Sequence, residues 1–589
     1  MLKNITMFIK RHSLLAGGLL SLLTGASANA GYEVWAADQS NTSPGQPSLG
    51  IKGGFLWIFD SDDIEIQLAT GVDAKPLSCT PSAAEGPCNM LDVFPQNLQR
   101  FTHNGEALVA TGETLGDLPG FGRLHGVIRD AQGKYVNVNF FAPSGGYVGV
   151  IDVKTKEAVG LFRVTEFYFD PLASQGRSVH MSFWTASGDA IVVSNLNGKA
   201  AERINVSRDN DGKITNLSFD RSATLGLGKN MVVKEEATVF HGINALGRPM
   251  IGEIIGTYDE AGLGDLTPNG FCKENECGEG GGDGSMGGRA NNLPICPIPS
   301  SNNLLYITLA GGGQFVGDIS STPMSIVGEY GRNAVFGAGC GGAQVGNTMF
   351  LDTGVSASGA GATQSHFAVF AFDDSAYLGH ANAENEPEVV VVYQDEGSTR
   401  TLGNIFGTKT QDTTGQIPGV TTRRDSHGAW ITTNGKYLHV DDRIQNKVEV
   451  FDTSSYQHFT YDLTSKSGQS GAQGPRGACM DRSVTDDADL PKNDPAPDLF
   501  EVTPDGKYMM MALRGPAPVS VPHAAQGSCP GIGIVELYGN GKFGRLVDVL
   551  RTTNEIPDAA VISPTSFPGG VQYKGSERSD VHGTIVIPK

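Results

Sequence analysis

Three stretches of the chain place a histidine eight residues before a turn glycine, each time opening a strand–turn–strand pattern. They are His125 with Gly133 (HGVIRDAQGKYVNVNFF), His180 with Gly188 (HMSFWTASGDAIVVSNL) and His427 with Gly435 (HGAWITTNGKYLHVDDR). A fourth copy, DLFEVTPDGKYMMMALRG, puts Asp498 in that register ahead of Gly506, and Asp580–Thr584 begins the pattern once more. One such hairpin cannot bury its apolar faces alone, so recurrence points to copies stacked into a closed ring. The expected fold is all-β: a single β-propeller, with one polar side chain per blade delivered to the mouth of the central channel.

The blades can be walked in order. YEVWAADQSN, GFLWIFDSD and IEIQLATG are expected to form three strands of a first blade that lacks its inner one. DVHGTIVIPK supplies that strand from the C-terminus, so pairing of the C-terminal strand with the N-terminal strands closes the ring and removes its open edges. Further blades are expected over 122–168, 176–225, 424–463 and 496–552. The hairpin pattern also resumes at LPICPIPSSNNLLYITLAGGGQFVGDI, and again in VGNTMFLDTG, SHFAVFAFDD and PEVVVVYQD. The count is seven blades, or eight if the stretch around His241 opens its own. A glycine- and acid-rich insertion near 260–290 (CKENECGEGGGDGSMGG at 272–288) reads as a surface loop.

Residues 1–30 read as a signal peptide. Lys3, Lys10 and Arg11 form a basic start, Leu14 to Leu23 an apolar run too short for a bilayer, and Ala28-Asn29-Ala30 a cleavage site. The propeller domain is then expected over 31–589, with no membrane span and a periplasmic or secreted location. Net charge is −20, and about −23 without the leader's basic residues, which disfavours nucleic acid and anionic lipid as partners. The eight cysteines permit the pairs Cys79–Cys88, Cys272–Cys277, Cys296–Cys340 and Cys479–Cys529 among many arrangements. In an exported chain disulfides are the expected use, a metal–thiolate site the minor one. No Cys-x-x-Cys-His, glycine phosphate loop, Gly-x-Ser-x-Gly or His-Glu-x-x-His occurs. Haem c, nucleotide and serine-hydrolase readings therefore have no support.

The His-Gly starts, the Gly-Lys-Tyr turns and the strand Val448-Glu449-Val450-Phe451-Asp452 resemble the YVTN and lactonase-like propeller repeat family over nearly the whole mature chain. That resemblance implies fold rather than chemistry, since its members include enzymes and binding proteins. In architecture and in the position of its histidines the chain also resembles copper-bearing propellers such as nitrous oxide reductase and thiocyanate dehydrogenase.

Equal register from a turn puts His125, His180 and His427 in equivalent places, and His582 joins them through its Val-His-Gly context. These four are the candidate metal ligands, with His241, His366 and His523 as additions and Asp498 completing the circle. Imidazoles without a thiolate partner make copper the first metal to expect. Arg123, Arg177, Arg424 and Arg578 each precede one of these histidines. Arg123 and Arg424 are the candidate substrate-binding residues, suited to an anion if they face the channel; paired with blade-edge acids they would instead be structural staples. The bland reading of the histidines is that they hydrogen-bond neighbouring blades as part of the repeat. Asp209-Asn210-Asp211-Gly212 reads as a hairpin turn rather than a calcium loop, Glu235 and Glu236 as a loop edge, and Met509–Met511 as core.

Three functions follow. The leading one is an exported metalloprotein with a histidine-lined axial site, copper-binding and oxidising a small molecule. The second is a non-catalytic propeller that binds another exported protein. The third is a lactonase-like hydrolase, in which carboxylates and histidines activate water.

Overall fold

The computed structural model describes residues 31–40, 54–79, 85–94, 102–103, 106–107, 123–141, 146–165, 167–169, 174–227, 231–233, 293–331, 334–354, 367–379, 387–395, 424–464, 477–484, 492–516, 518, 525–552 and 579–589. The leader, the insertion near 260–290, Cys272, Cys277, Arg578, Glu235, Glu236, His241, His366 and His523 lie outside them.

Seven four-stranded antiparallel sheets are arranged as a seven-bladed propeller. In blade 1 the innermost strand is Val581–Pro588, followed outward by Tyr32–Asp38, Phe55–Asp60 and Cys88–Asn89. The two chain ends are zipped in register, with Glu33 opposite Ile587 and Trp35 opposite Ile585. Blade 2 covers Arg123–Arg163, blade 3 Val179–Gly226 and blade 4 Pro294–Tyr330. Blade 5 covers Gly342–Gln394, blade 6 Ser426–Asp462 and blade 7 Pro497–Arg551. A three-stranded sheet (Phe167–Phe169, Ser174–Gly176, Met231–Val233) and a two-stranded one (Thr102–His103, Glu106–Ala107) accompany the blades.

Strand alternation sends successive side chains into two different inter-blade layers, and both are apolar. Met509 and Met511 pack in one cluster while Met510 packs in the next, all three fully buried. The inner hairpins turn on glycines with positive φ, Gly133 and Gly435 among them, a conformation that β-carbon-bearing residues rarely adopt. The Asp209 carboxylate accepts from the backbone N–H groups of Asp211 and Lys213, so this stretch is a hairpin turn.

One expected strand is a helix. IEIQLATG lies in Ser61–Thr70, not in the sheet, and Cys88–Asn89 takes the outer place in blade 1. Asp60 caps the helix by accepting from the Asp62 N–H, Asp62 and Asp63 sit in its first turn, and Gly71 ends it in a left-handed conformation. These caps outweigh the short apolar alternation at Ile64 and Ile66. Disulfides link Cys79–Cys88, Cys296–Cys340 and Cys479–Cys529. No helix among the described residues is long and apolar enough to cross a membrane.

Candidate functional site

Every inner strand that carries a candidate ligand breaks register at that residue. In blade 2 Leu124 pairs with Phe140 and Gly126 with Asn139, which leaves His125 as an extra residue. The same irregularity brackets His180 (Val179 to Ser182), His427 (Ser426 to Ala429), Asp498 (Pro497 to Phe500) and His582 (Val581 to Gly583). A β-bulge re-aims a side chain and bends its strand. Repeated on five inner strands, it turns one polar residue per blade toward the same end of the axis.

The four histidines form a continuous series over blades 6, 1, 2 and 3. Ring centroids lie 5.4 Å apart for His427 and His582, 4.1 Å for His582 and His125, and 4.5 Å for His125 and His180. Asp498 of blade 7 hydrogen-bonds His427. All four imidazoles line one cavity of about 250 Å³, together with Arg123, Arg443, Phe141, Leu196 and Cys340. The ligand-type atoms of His427, Asp498 and His582 all lie within 4.8 Å of one another.

The hydrogen bonds fix which ring nitrogen keeps a lone pair. The Nδ1–H of His582 donates to the backbone carbonyl of His125 at 2.7 Å. The Nδ1–H of His427 donates to the Asp498 carboxylate. Both rings therefore keep Nε2 as an acceptor or ligand atom. His125 and His180 face each other Nε2 to Nε2 at 3.3 Å, and the buried Nδ1 of His125 has no partner among the described residues. Burial, reinforced by the neighbouring rings and arginines, pushes the pKa of His125 and His582 well below the usual value. Burial pushes His180 down to about 3, and it lowers His427 despite the opposing pull of Asp498. Each of these shifts favours the uncharged ring.

A buried ionic shell stands behind them. Burial alone would raise the Asp498 carboxyl, but His427, His582 and Arg443 hold it well below the usual range. Arg514 donates to Asp498 Oδ2 at 2.8 Å and grips Asp580 with two hydrogen bonds of 2.6 and 2.9 Å. Arg443 pairs with Asp425 at 2.6 Å. These interactions hold the His427 acceptor in one position.

The two candidate substrate arginines part company. Arg123 lines the cavity, donates to the Gln39 side-chain carbonyl at 2.8 Å and lies over the Phe141 ring. Burial lowers its pKa to about 9. Arg424 is absent from the cavity wall and is held by Asp442, Glu449 and Asp395. Beside His180, the Cys296–Cys340 disulfide completes the wall, with Cys296 Sγ 3.8 Å from His180 Nδ1. Its sulfurs are not thiolates and so are not ligands.

Arg443 and Arg514 were not visible as candidates from histidine register alone. A signal existed: each lies eight residues after its turn glycine, Gly435 and Gly506, as Phe141 lies after Gly133 and Leu196 after Gly188. Hairpin symmetry brings the residue eight before and the residue eight after the turn to the same mouth.

No family model and no curated protein matches the chain. Solved structures similar to it include a putative 6-phosphogluconolactonase from Bacteroides uniformis, 13% identical over 88% of this chain and 98% of that one, TM-score 0.38. The periplasmic gluconolactonase of Pseudomonas aeruginosa is 9% identical over 95% and 99%, TM-score 0.38. The hydrazine synthase of Kuenenia stuttgartiensis is 11% identical over 71% and 77%, TM-score 0.32.

Proposed function

We propose that the chain is an exported metalloprotein that holds one copper ion at its histidine mouth and oxidises a small anionic molecule there. The observation that carries this is the convergence of four imidazoles in one cavity, two of them with Nδ1–H committed to fixed acceptors. Neutral, pre-oriented imidazoles suit copper and leave little role for magnesium or calcium. His427 and His582 are the proposed primary ligands, with His125 and His180 completing the set. Copper, when bound, would supply one-electron redox chemistry, with the substrate's electrons passed on to an external electron acceptor such as an exported redox protein. Arg123 holds the anion, since no carboxylate neutralises it at ion-pair distance among the described residues. Asp498 fixes the orientation of His427 and keeps its Nδ1 protonated. The leader-like first thirty residues and the three disulfides support export.

The test is metal content by mass spectrometry of protein recovered from its export route. Stoichiometric copper is expected, and its loss in a His427→Ala/His582→Ala double variant that still melts cooperatively. Full copper content in that variant ends the proposal.

One observation favours a second reading. A buried carboxylate hydrogen-bonded to a neutral imidazole is also the arrangement of a general base. His427, backed by Asp498, would then activate water against a lactone carbonyl. Turnover of lactones in the presence of chelator would favour this reading over copper.

A further inference from the structure

A second cavity, of about 390 Å³, lies further along the same inner strands, and no histidine lines it. It forms where the inner strands finish. Three residues beyond His125, His180, His427 and Asp498 come Ile128, Phe183, Trp430 and Glu501, all on its wall. Three strand residues span roughly 10 Å, so the two chambers lie at successive levels along these strands.

The chambers differ in chemistry. The charged residues lining the second one are Arg129, Asp130 and Glu501, and each is ion-paired: Arg129 with Glu501 at 3.0 Å, Asp130 with Arg208 at 2.9 Å. An ionic ligand would find no opposite charge left to meet it, and stripping its hydration would go uncompensated. Three aromatic side chains, Phe183, Trp184 and Trp430, line its wall. Phe183 and Trp430 are only partly buried, although both stand on inner strands. The indole N–H of Trp184 donates to the Ile128 carbonyl at 3.3 Å, whereas that of Trp430 has no hydrogen-bond partner among the described residues.

We infer that this chamber is a second binding site, for an uncharged planar ring compound that carries a carbonyl acceptor. Flat aromatic walls favour a flat ligand by offset or edge-on stacking. The volume is that of a small-molecule pocket, and the unused Trp430 donor meets the carbonyl. The site does not depend on the metal proposed at the histidine mouth.

Coumarin, a neutral planar ring with one carbonyl, is a suitable probe for calorimetric titration in the presence of chelator. Saturable one-site binding is expected. Trp430→Ala should weaken it by about tenfold or more. Ala343→Arg, which places a long charged side chain in the chamber, should abolish it. The His427→Ala/His582→Ala protein should bind as wild type does, which separates this site from the histidine mouth. Thermal melts confirm that each variant is folded. The inference is overturned by the absence of saturable heat, or by unchanged affinity in both chamber variants. Tighter binding of coumarin-3-carboxylate than of coumarin overturns the uncharged class.

Discussion

Blades 2 and 6 open their inner strands with the same three residue types and put the arginine to opposite uses. In blade 2 Arg123 stands two residues before His125, and both side chains line the channel cavity. In blade 6 Arg424 stands three residues before His427 and is buried among Asp442, Glu449 and Asp395. Arg123 belongs to the inner strand and reaches His125 across its bulge, whereas Arg424 lies just before the strand Ser426–Ile431. One guanidinium is thus left on the cavity wall while the other staples a blade. The same two blades treat their histidines differently as well: His427 has a carboxylate behind it, while His125 Nδ1 has no partner among the described residues.

The largest test of this contrast is stability. Arg424→Met strips the counter-charge from two buried carboxylates and should cost about 3–5 kcal/mol in chemical denaturation. Arg123→Met breaks no ion pair among the described residues and should cost under about 1 kcal/mol. Equal losses would dissolve the distinction between staple and ligand arginine. Next in size is the carboxylate behind blade 6. Asp498→Asn removes the charge that orients His427 and should lower the copper affinity of the proposed site about 10–100-fold in competition titrations. An unchanged affinity would mean that His427 needs no orienting partner.

The smallest effect is on pH dependence. Folded imidazoles with depressed pKa bind fewer protons than unfolded ones, so the stability they contribute is present above about pH 6.5 and is lost as pH falls below it. Each histidine adds at most about 1.4 kcal/mol per pH unit in that window. His125 is depressed further than His427, whose carboxylate partner opposes the shift. His125→Gln should therefore flatten the acid limb of a stability–pH curve more than His427→Gln does. The reverse order would break the comparison.

The ring, its closure and the seven blades follow from repeat register and turn glycines, which act locally and leave a plain mark on the chain. The convergence of the histidines was also legible, because equal distance from a turn is a geometric statement. The bulges were not, since a one-residue break in pairing arises between strands and has no residue signature beyond the following glycine at His125, His427 and His582. Ser61–Thr70 escaped because Ile64 and Ile66 mimic strand alternation, while Asp60 and Gly71 carry the opposing signal. Arg514 escaped because its value lies in partners from other segments, Asp498 and Asp580, brought together only by closure.

Closure has a further consequence. His582 stands on the strand that seals the ring, while its neighbours His125 and His427 stand on blades to either side of the seam. Whatever binds across these three rings grips both banks of the joint at once. Occupancy of the mouth is thereby a clasp, and its binding free energy adds directly to the work needed to unzip the circle.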